Sequence, residues 1–231
     1  MTNQPHLKKL STDLSHWEVT WRKLVCTQQS ALDPAHDLLH FERVVASAKW
    51  LAALENANCE IVVPAAWLHD WVAIPKNDPR RSQASRLSSE AVQKLLTQMN
   101  YPDELIPAIG HAIESHSFSA GIETRTLEAQ VVQDADRLDA LGAIGIARCF
   151  STAGTLGTPF YSLEDSFCKS REPDDAHFAL DHFYKKLLKL PSTFKTESGR
   201  IEAQRRVTFM IGYLAQLEQE LQCTPKSSKN I

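Results

Sequence analysis

"PAAWLHDWVA", residues 64–73, sets an adjacent histidine and aspartate, His69 and Asp70, at the end of an otherwise apolar run. An uncompensated carboxylate in such surroundings costs several kcal/mol or gives up its charge. The run reads as a short buried helix with Pro64 in its first turn. The pair therefore needs a partner. Buried charges are tolerated when they coordinate a metal ion, and two adjacent residues at a helix end can both reach one ion. They cannot fill its coordination sphere alone, so further ligands must come from elsewhere in the chain.

Outward from this stretch the apolar periodicity is helical almost everywhere, with no strand-like alternation and no internal repeat. Leu14, Trp17, Trp21 and Leu24 mark one face of a first helix. Asp33-Pro34 is a start signal, an N-cap followed by proline at the first helical position, for a helix running to about Asn56. Asp78-Pro79 repeats the signal before a helix with Leu87, Ala91 and Leu95 as its buried stripe, Val92 and Leu96 beside them. Asp103 is the expected cap of the next helix, and a break is expected near Gly142–Gly145. Residues 151–175 read as an irregular excursion, and the segments from Asp174 and from Glu197 as two closing helices. The expectation is an all-α chain of roughly eight to ten helices in one domain.

Bulk properties narrow the function. The 231 residues suit one large helical domain. A net charge of −3 gives no electrostatic footprint for nucleic acid, and no aromatic-basic stripe is present. Five scattered cysteines with no CxxC pair indicate neither a zinc cluster nor a disulfide framework, which fits a reducing cytoplasm. The N-terminus lacks the apolar core of a secretory signal, and no run of about 18 apolar residues predicts a membrane span.

Two other segments offer ligands. In "HDLLHFERVV" (36–45), His36 and His40 sit four apart on one helix face. In "VQDADRLDALGAIGIAR" (132–148), Asp134, Asp136 and Asp139 lie among Val, Ala, Leu and Ile, and Asp136 shares a face with Val132 and Asp139. Each alone has a plainer reading: a satisfied core histidine, an Asp70–Arg43 ion pair, or a solvated acidic face with Arg137. Together, and with "AAWLHDWV" (65–72) and "AIESHSFS" (112–119), they resemble the HD superfamily of metal-dependent phosphohydrolases. The segments at 112–119 and 132–148 look like one bacterial subgroup, as does "DDAHFALDHFYKKLLKLP" (174–191). The resemblance implies a helical-bundle core over 33–150 and a helical extension over 151–221; the polar composition of the last residues makes 222–231 a disordered tail. It implies His40, His69, Asp70 and Asp136 as metal ligands, with His36 and Asp134 as candidates to orient them.

Mixed imidazole and carboxylate ligation suits Mn, Fe, Co or Ni better than Ca, and Mg prefers oxygen. One divalent ion is expected, Mn²⁺ first, with Mg, Fe, Co and Ni open. Such an ion activates water and polarises a phosphate oxygen, which is metal-assisted hydrolysis of a phosphate ester or anhydride. Lys76, Arg80, Arg81 and Arg86, just after the pair, are the expected phosphate contacts. Arg80 and Arg81 oppose the dipole of a helix start as stability elements but suit an anion site there, and solvated surface is the plain alternative. His111 and His116, five apart, do not share a helix face, which favours one metal. His116 is the candidate phosphate contact or acid. No acidic residue follows the pair before Asp78, so the role such a residue would play falls to Asp134, Asp139 or a lone metal hydroxide. Asp70, His116 and Asp134 are thus the catalytic candidates. The expected substrate is a small phosphate compound, a nucleotide by resemblance, cleaved as a triphosphate to monophosphate and pyrophosphate. A 5′-nucleotidase, a phosphodiesterase and a non-catalytic nucleotide sensor remain as alternatives.

Overall fold

Trp21 and Val25 on α1 (Leu14–Gln28) are buried where the stripe of the first helix meets the core. The computed structural model describes residues 14–28, 38–74, 78, 80–117 and 120–223. Within them the chain is helical, with no strand among the described residues. α1 is followed by α2 (Leu38–Glu55), α3 (Cys59–Leu68), α4 (Ala84–Gln98), α5 (Ile106–His116), α6 (Leu127–Leu138), α7 (Gly142–Leu156), α8 (Asp181–Lys185) and α9 (Glu197–Cys223). Short 3-10 helices, Arg81–Gln83 and Leu187–Thr193, precede α4 and follow α8. The Asp33-Pro34 start and the tail from 224 lie outside the described residues.

α3 is the centre of the bundle. It packs on α1, α2, α5 and α6, so it has no solvent face, and every residue from Ile61 to Leu68 is buried. A helix apolar all round belongs in a core. Asn58 caps it by accepting from the Glu60 amide, so Pro64 falls in mid-helix, not in the first turn as expected. A mid-helix proline leaves the carbonyl four residues back without its helical donor. That carbonyl is Glu60's, and the Tyr101 hydroxyl donates to it at 2.7 Å. A helix that would be broken in isolation is thereby completed by a side chain from the turn after α4.

Other boundaries depart from the sequence pattern for identifiable reasons. α2 stops at Glu55 because Asn56 takes a left-handed conformation (φ 57°). The buried stripe of α4 is Ser85, Ser88, Ser89, Val92 and Leu96, while Leu87, Ala91 and Leu95 are only half-buried. Two of these serines are held inside by hydrogen bonds: Ser89 donates to the Gly110 carbonyl at 2.8 Å, and Ser88 accepts from the Val72 amide at 2.9 Å. Asp103 does not cap α5, whose N-cap is Leu105. The break between α6 and α7 comes where Gly145 approaches Ala140: a Cβ there would lie 2.1 Å from the Ala140 carbonyl oxygen. α7 continues to Leu156, so the irregular excursion begins at Gly157 and not at 151. The expected helix over 174–191 is reduced to α8 and a 3-10 segment containing Pro191.

Candidate metal centre

Three histidines reach one point from three helices. His69 follows the last residue of α3, His40 is in the first turn of α2, and His116 ends α5. All three are buried. The Nδ1 of His69 lies 2.9 Å from the Ala66 carbonyl, and that of His116 lies 2.6 Å from the Ile113 carbonyl. A carbonyl can only accept, so both Nδ1 atoms carry the proton. The Nδ1 of His40 sits 2.7 Å from Asp139 Oδ2, and the same logic applies to a carboxylate. Each ring therefore turns its Nε2 inward.

The inward atoms crowd together. His40 Nε2 and His69 Nε2 are 3.4 Å apart. Asp136 Oδ1, from α6, lies 3.7 Å from His40 Nε2 and 3.9 Å from His69 Nε2. Asp70 Oδ2 lies 3.7 Å from His69 Nε2, and Asp70 Oδ1 lies 3.4 Å from His116 Nε2. Two groups of ligating atoms result, His40/His69/Asp136 and His69/Asp70/His116, each within 4.8 Å and sharing His69. Facing lone pairs and two carboxylates repel one another until a cation lies between them. Nitrogens about 2.1 Å from one ion and adjacent in its sphere lie roughly 3–3.5 Å apart, so the donor set fits a divalent metal.

The electrostatics agree. Burial pushes the His69 imidazole down to about 4, against the opposing pull of Asp70 and Asp136, so it stays in its neutral, ligating form. Burial alone would raise Asp136, but His69, His116 and His40 hold it below its ordinary value. Burial would lower His116, yet its hydrogen bond to Asp70 and that carboxylate's charge leave it raised. One cluster thus contains an imidazole kept neutral and another inclined to hold a proton.

Behind His40 stands a carboxylate whose role the sequence pattern did not disclose. Asp139, buried at the C-cap of α6, accepts from His40 Nδ1, from Arg43 Nε at 2.6 Å and Arg43 Nη2 at 3.1 Å, and from Arg148 Nη1. Burial would raise its pKa, but these donors hold it well below the usual carboxylate range. Arg43 thus pairs with Asp139. The available signal was spacing: Arg43 lies three residues after His40 and Asp139 three after Asp136, each one helical turn on.

Asp134 is elsewhere. Two residues from Asp136 on α6, it faces the other way and accepts from the Lys195 amide at 3.0 Å, the Thr196 amide at 2.8 Å and the Thr196 hydroxyl at 2.7 Å. Thr196 in turn accepts from the Gly199 amide, and a Cβ on Gly199 would lie 2.6 Å from Asp134 Oδ2. Asp134 therefore anchors the start of α9, and the structure does not bring it to the cluster as an acid, base or orienting group. Asp134→Ala is expected to cost about 2–4 kcal/mol of stability, because it strands buried amides, while leaving per-molecule turnover of folded protein within about twofold. Urea denaturation beside initial rates checks this, and a large loss of turnover in stable protein would contradict it.

The expected phosphate contacts divide. Lys76 and the orienting candidate His36 lie outside the described residues. Arg80 forks onto Asp78 at 2.9 and 3.1 Å, and the same carboxylate caps the Arg80 amide. Arg81 donates to the Ile74 carbonyl at 2.6 Å, tying down the loop after the pair. Arg86 is exposed on α4. His111 turns away from the cluster and accepts from the Arg125 amide at 3.0 Å.

Known proteins share this fold. A family model described as the HD domain matches residues 38–141, which contain all five clustered side chains. YpgQ of Bacillus subtilis is 34% identical over 206 residues, 87% of this chain and 91% of YpgQ. The chain belongs to the HD superfamily of metal-dependent phosphohydrolases. A crystal structure of B. subtilis YpgQ in complex with ADP superposes with a TM-score of 0.68 at 35% identity, covering 87% of this chain and 96% of that one. An HD-superfamily hydrolase from Bacillus thuringiensis gives 0.70 at 29% identity, covering 90% and 97%. In this HD protein the cluster around His69 and Asp70 could hold the divalent ion that HD domains bind.

Proposed function

We propose that this HD protein hydrolyses nucleotides with one divalent ion, Mn²⁺ first, held by His40, His69, Asp70 and Asp136, and that it cleaves nucleoside triphosphates to monophosphate and pyrophosphate. The observation that carries the reading is the inward convergence of three Nε2 atoms and two carboxylates, with His116 the one imidazole whose pKa is raised. When bound, the ion would activate water and polarise the α-phosphate. Asp139 orients His40, and the Ala66 and Ile113 carbonyls orient His69 and His116. Asp70 keeps a proton on His116, which would give it to the departing pyrophosphate oxygen. Cleavage adds water across one anhydride bond, so one P–O bond forms as another breaks. Nucleotide recognition draws its support from YpgQ, which was crystallised with ADP. One domain in a reducing cytoplasm fits the shared hydrophobic core and the free cysteines 26, 59, 149 and 168. Among the described residues no helix is long and apolar enough to cross a membrane.

Phosphate and pyrophosphate release is measured on a nucleotide panel. The protein is metal-stripped, then given Mn²⁺, Mg²⁺, Co²⁺ or Ni²⁺, with Asp70→Ala beside it. Pyrophosphate from triphosphates, dependent on metal and on Asp70, is the expected result. Orthophosphate from monophosphates would replace this reading with a 5′-nucleotidase. Tight metal binding without turnover would replace it with a nucleotide sensor.

A further inference from the structure

α5 ends at His116, and Ser117 is already extended (φ −69°, ψ 130°). The carbonyls of the last turn therefore lack the helical amides that would pair them, and side chains take their place. His116 sets its own Nδ1 on the Ile113 carbonyl at 2.6 Å. The Ser115 carbonyl is taken by Gln133, which donates from Nε2 at 2.7 Å where α6 packs on α5. That carbonyl belongs to the planar peptide group joining Ser115 to His116. Turning the group changes φ of His116 and swings its Cα–Cβ bond. Pinning the group fixes the point from which the imidazole projects.

Stability alone does not account for Gln133. The residue is buried, and its Oε1 is buried with no hydrogen-bond partner. A buried acceptor left unpaired is destabilising, so an unbranched apolar side chain of similar volume would pack there without that cost. What the amide alone supplies is the donor to Ser115. Asp136 stands three residues further along α6, one turn on and on the same side of the helix. One helix thus carries an acid into the cluster and the clamp on the helix end that brings His116 to it. His116 Nε2 in turn lies 3.4 Å from Asp70 Oδ1, a contact that depends on where the ring is anchored.

We infer that Gln133 is a positioning residue: through the Ser115–His116 peptide group it holds the His116 imidazole against Asp70. What His116 then does rests on the hydrolase reading, in which it protonates the leaving group. Its placement does not rest on that reading.

Gln133→Met removes the donor and keeps the volume. Gln133→Asn keeps the amide but is one methylene short of the Ser115 carbonyl, and it decides the matter if Gln133→Met does not fold. Ser115→Ala is the control. It deletes a bond in the same turn, from Ser115 Oγ to the His111 carbonyl at 2.7 Å, and leaves the peptide clamp alone. The ring is read first, by nitrogen NMR of the full-length, metal-free protein carrying isotope-labelled histidine. His116→Gln locates its signals among those of the nine histidines. The His116 Nδ1–H signal is expected in wild type and in Ser115→Ala, and is expected to be lost to solvent exchange in the Gln133 variants as the unclamped turn opens. Their unfolding midpoints should stay within about 4 °C of wild type. On the nucleotide that the wild type cleaves, kcat should fall about ten- to a hundredfold in the Gln133 variants, with KM within about twofold. An unchanged His116 signal in a folded Gln133 variant, or an equal loss in Ser115→Ala, would overturn the inference. A lost signal with kcat unchanged would keep the placement and remove His116 from the chemistry. A wild-type chain without turnover would remove the hydrolase reading, and the ring signals alone would then decide the placement.

Discussion

His69→Ala should leave a folded protein that retains no metal after dialysis and turns over at least about a thousandfold more slowly. His69 is the ligand common to both clusters, so its removal dismantles His40/His69/Asp136 and His69/Asp70/His116 together. An ion contributes several kcal/mol of transition-state stabilisation, and each ~1.4 kcal/mol is a factor of ten in rate. The fold should suffer less than the chemistry. The lost imidazole ring leaves a small cavity and one unpartnered carbonyl at Ala66, but it also removes a lone pair facing His40 Nε2 at 3.4 Å. Thermal unfolding with and without Mn²⁺ separates these effects. Saturating metal raises wild-type stability by mass action, about 4 kcal/mol at a thousand times Kd, and should not move the variant. Stoichiometric metal in the dialysed variant, or turnover within tenfold of wild type, would remove His69 from the centre of the site.

The parts of this site that were legible in the sequence are those where one residue type has few plausible uses. A His-Asp pair closing an apolar helix, a histidine near a helix start and acids within an apolar face each break a local pattern. Such violations concentrate at functional sites. The all-helical class followed from 3.6-residue periodicity, which long segments express strongly. What failed to show was partnership across the fold. Asp134 and Asp136 look alike in "QDAD", but a two-residue step on a helix sends them to opposite sides, one to the metal cluster and one to the start of α9. Only the position of Thr196, 62 residues on from Asp134, decides which is which. The α4 stripe was misplaced for a similar reason. Serines count as polar in a periodicity, yet Ser88 and Ser89 are buried because Val72 and Gly110 supply backbone partners. Pro64 seemed to mark a helix start because the hydroxyl that excuses it mid-helix comes from Tyr101.

Asp139→Asn tests the part of the site that the sequence concealed. The substitution keeps the shape and removes the charge. His40 Nδ1, Arg148 Nη1 and Arg43 Nη2 all donate to Oδ2 while Arg43 Nε donates to Oδ1, so the new amide sets its NH₂ against a donor whichever way it turns. With the NH₂ toward Oδ2's place, the His40 ring must move its proton to Nε2, the atom that should hold the metal; with the oxygen there, the ring keeps its bond but loses the charge behind it and Arg43 Nε loses its acceptor. Metal affinity is expected to fall about 10–100-fold, the usual effect of losing a carboxylate behind a ligating histidine. Stability is expected to fall by roughly 2–4 kcal/mol, toward the lower end because Arg43 and Arg148 keep 33% and 22% of their side-chain surface in water. The two readouts separate positioning from packing. A merely structural Asp139 would lower the unfolding midpoint while folded protein bound metal at wild-type affinity. A positioning Asp139 weakens metal binding even where the variant is fully folded, and excess metal should recover most of its turnover. Asp139→Glu, which restores the charge on a longer arm, should regain part of the metal affinity. Wild-type affinity in folded Asp139→Asn would mean that the helix alone aims His40.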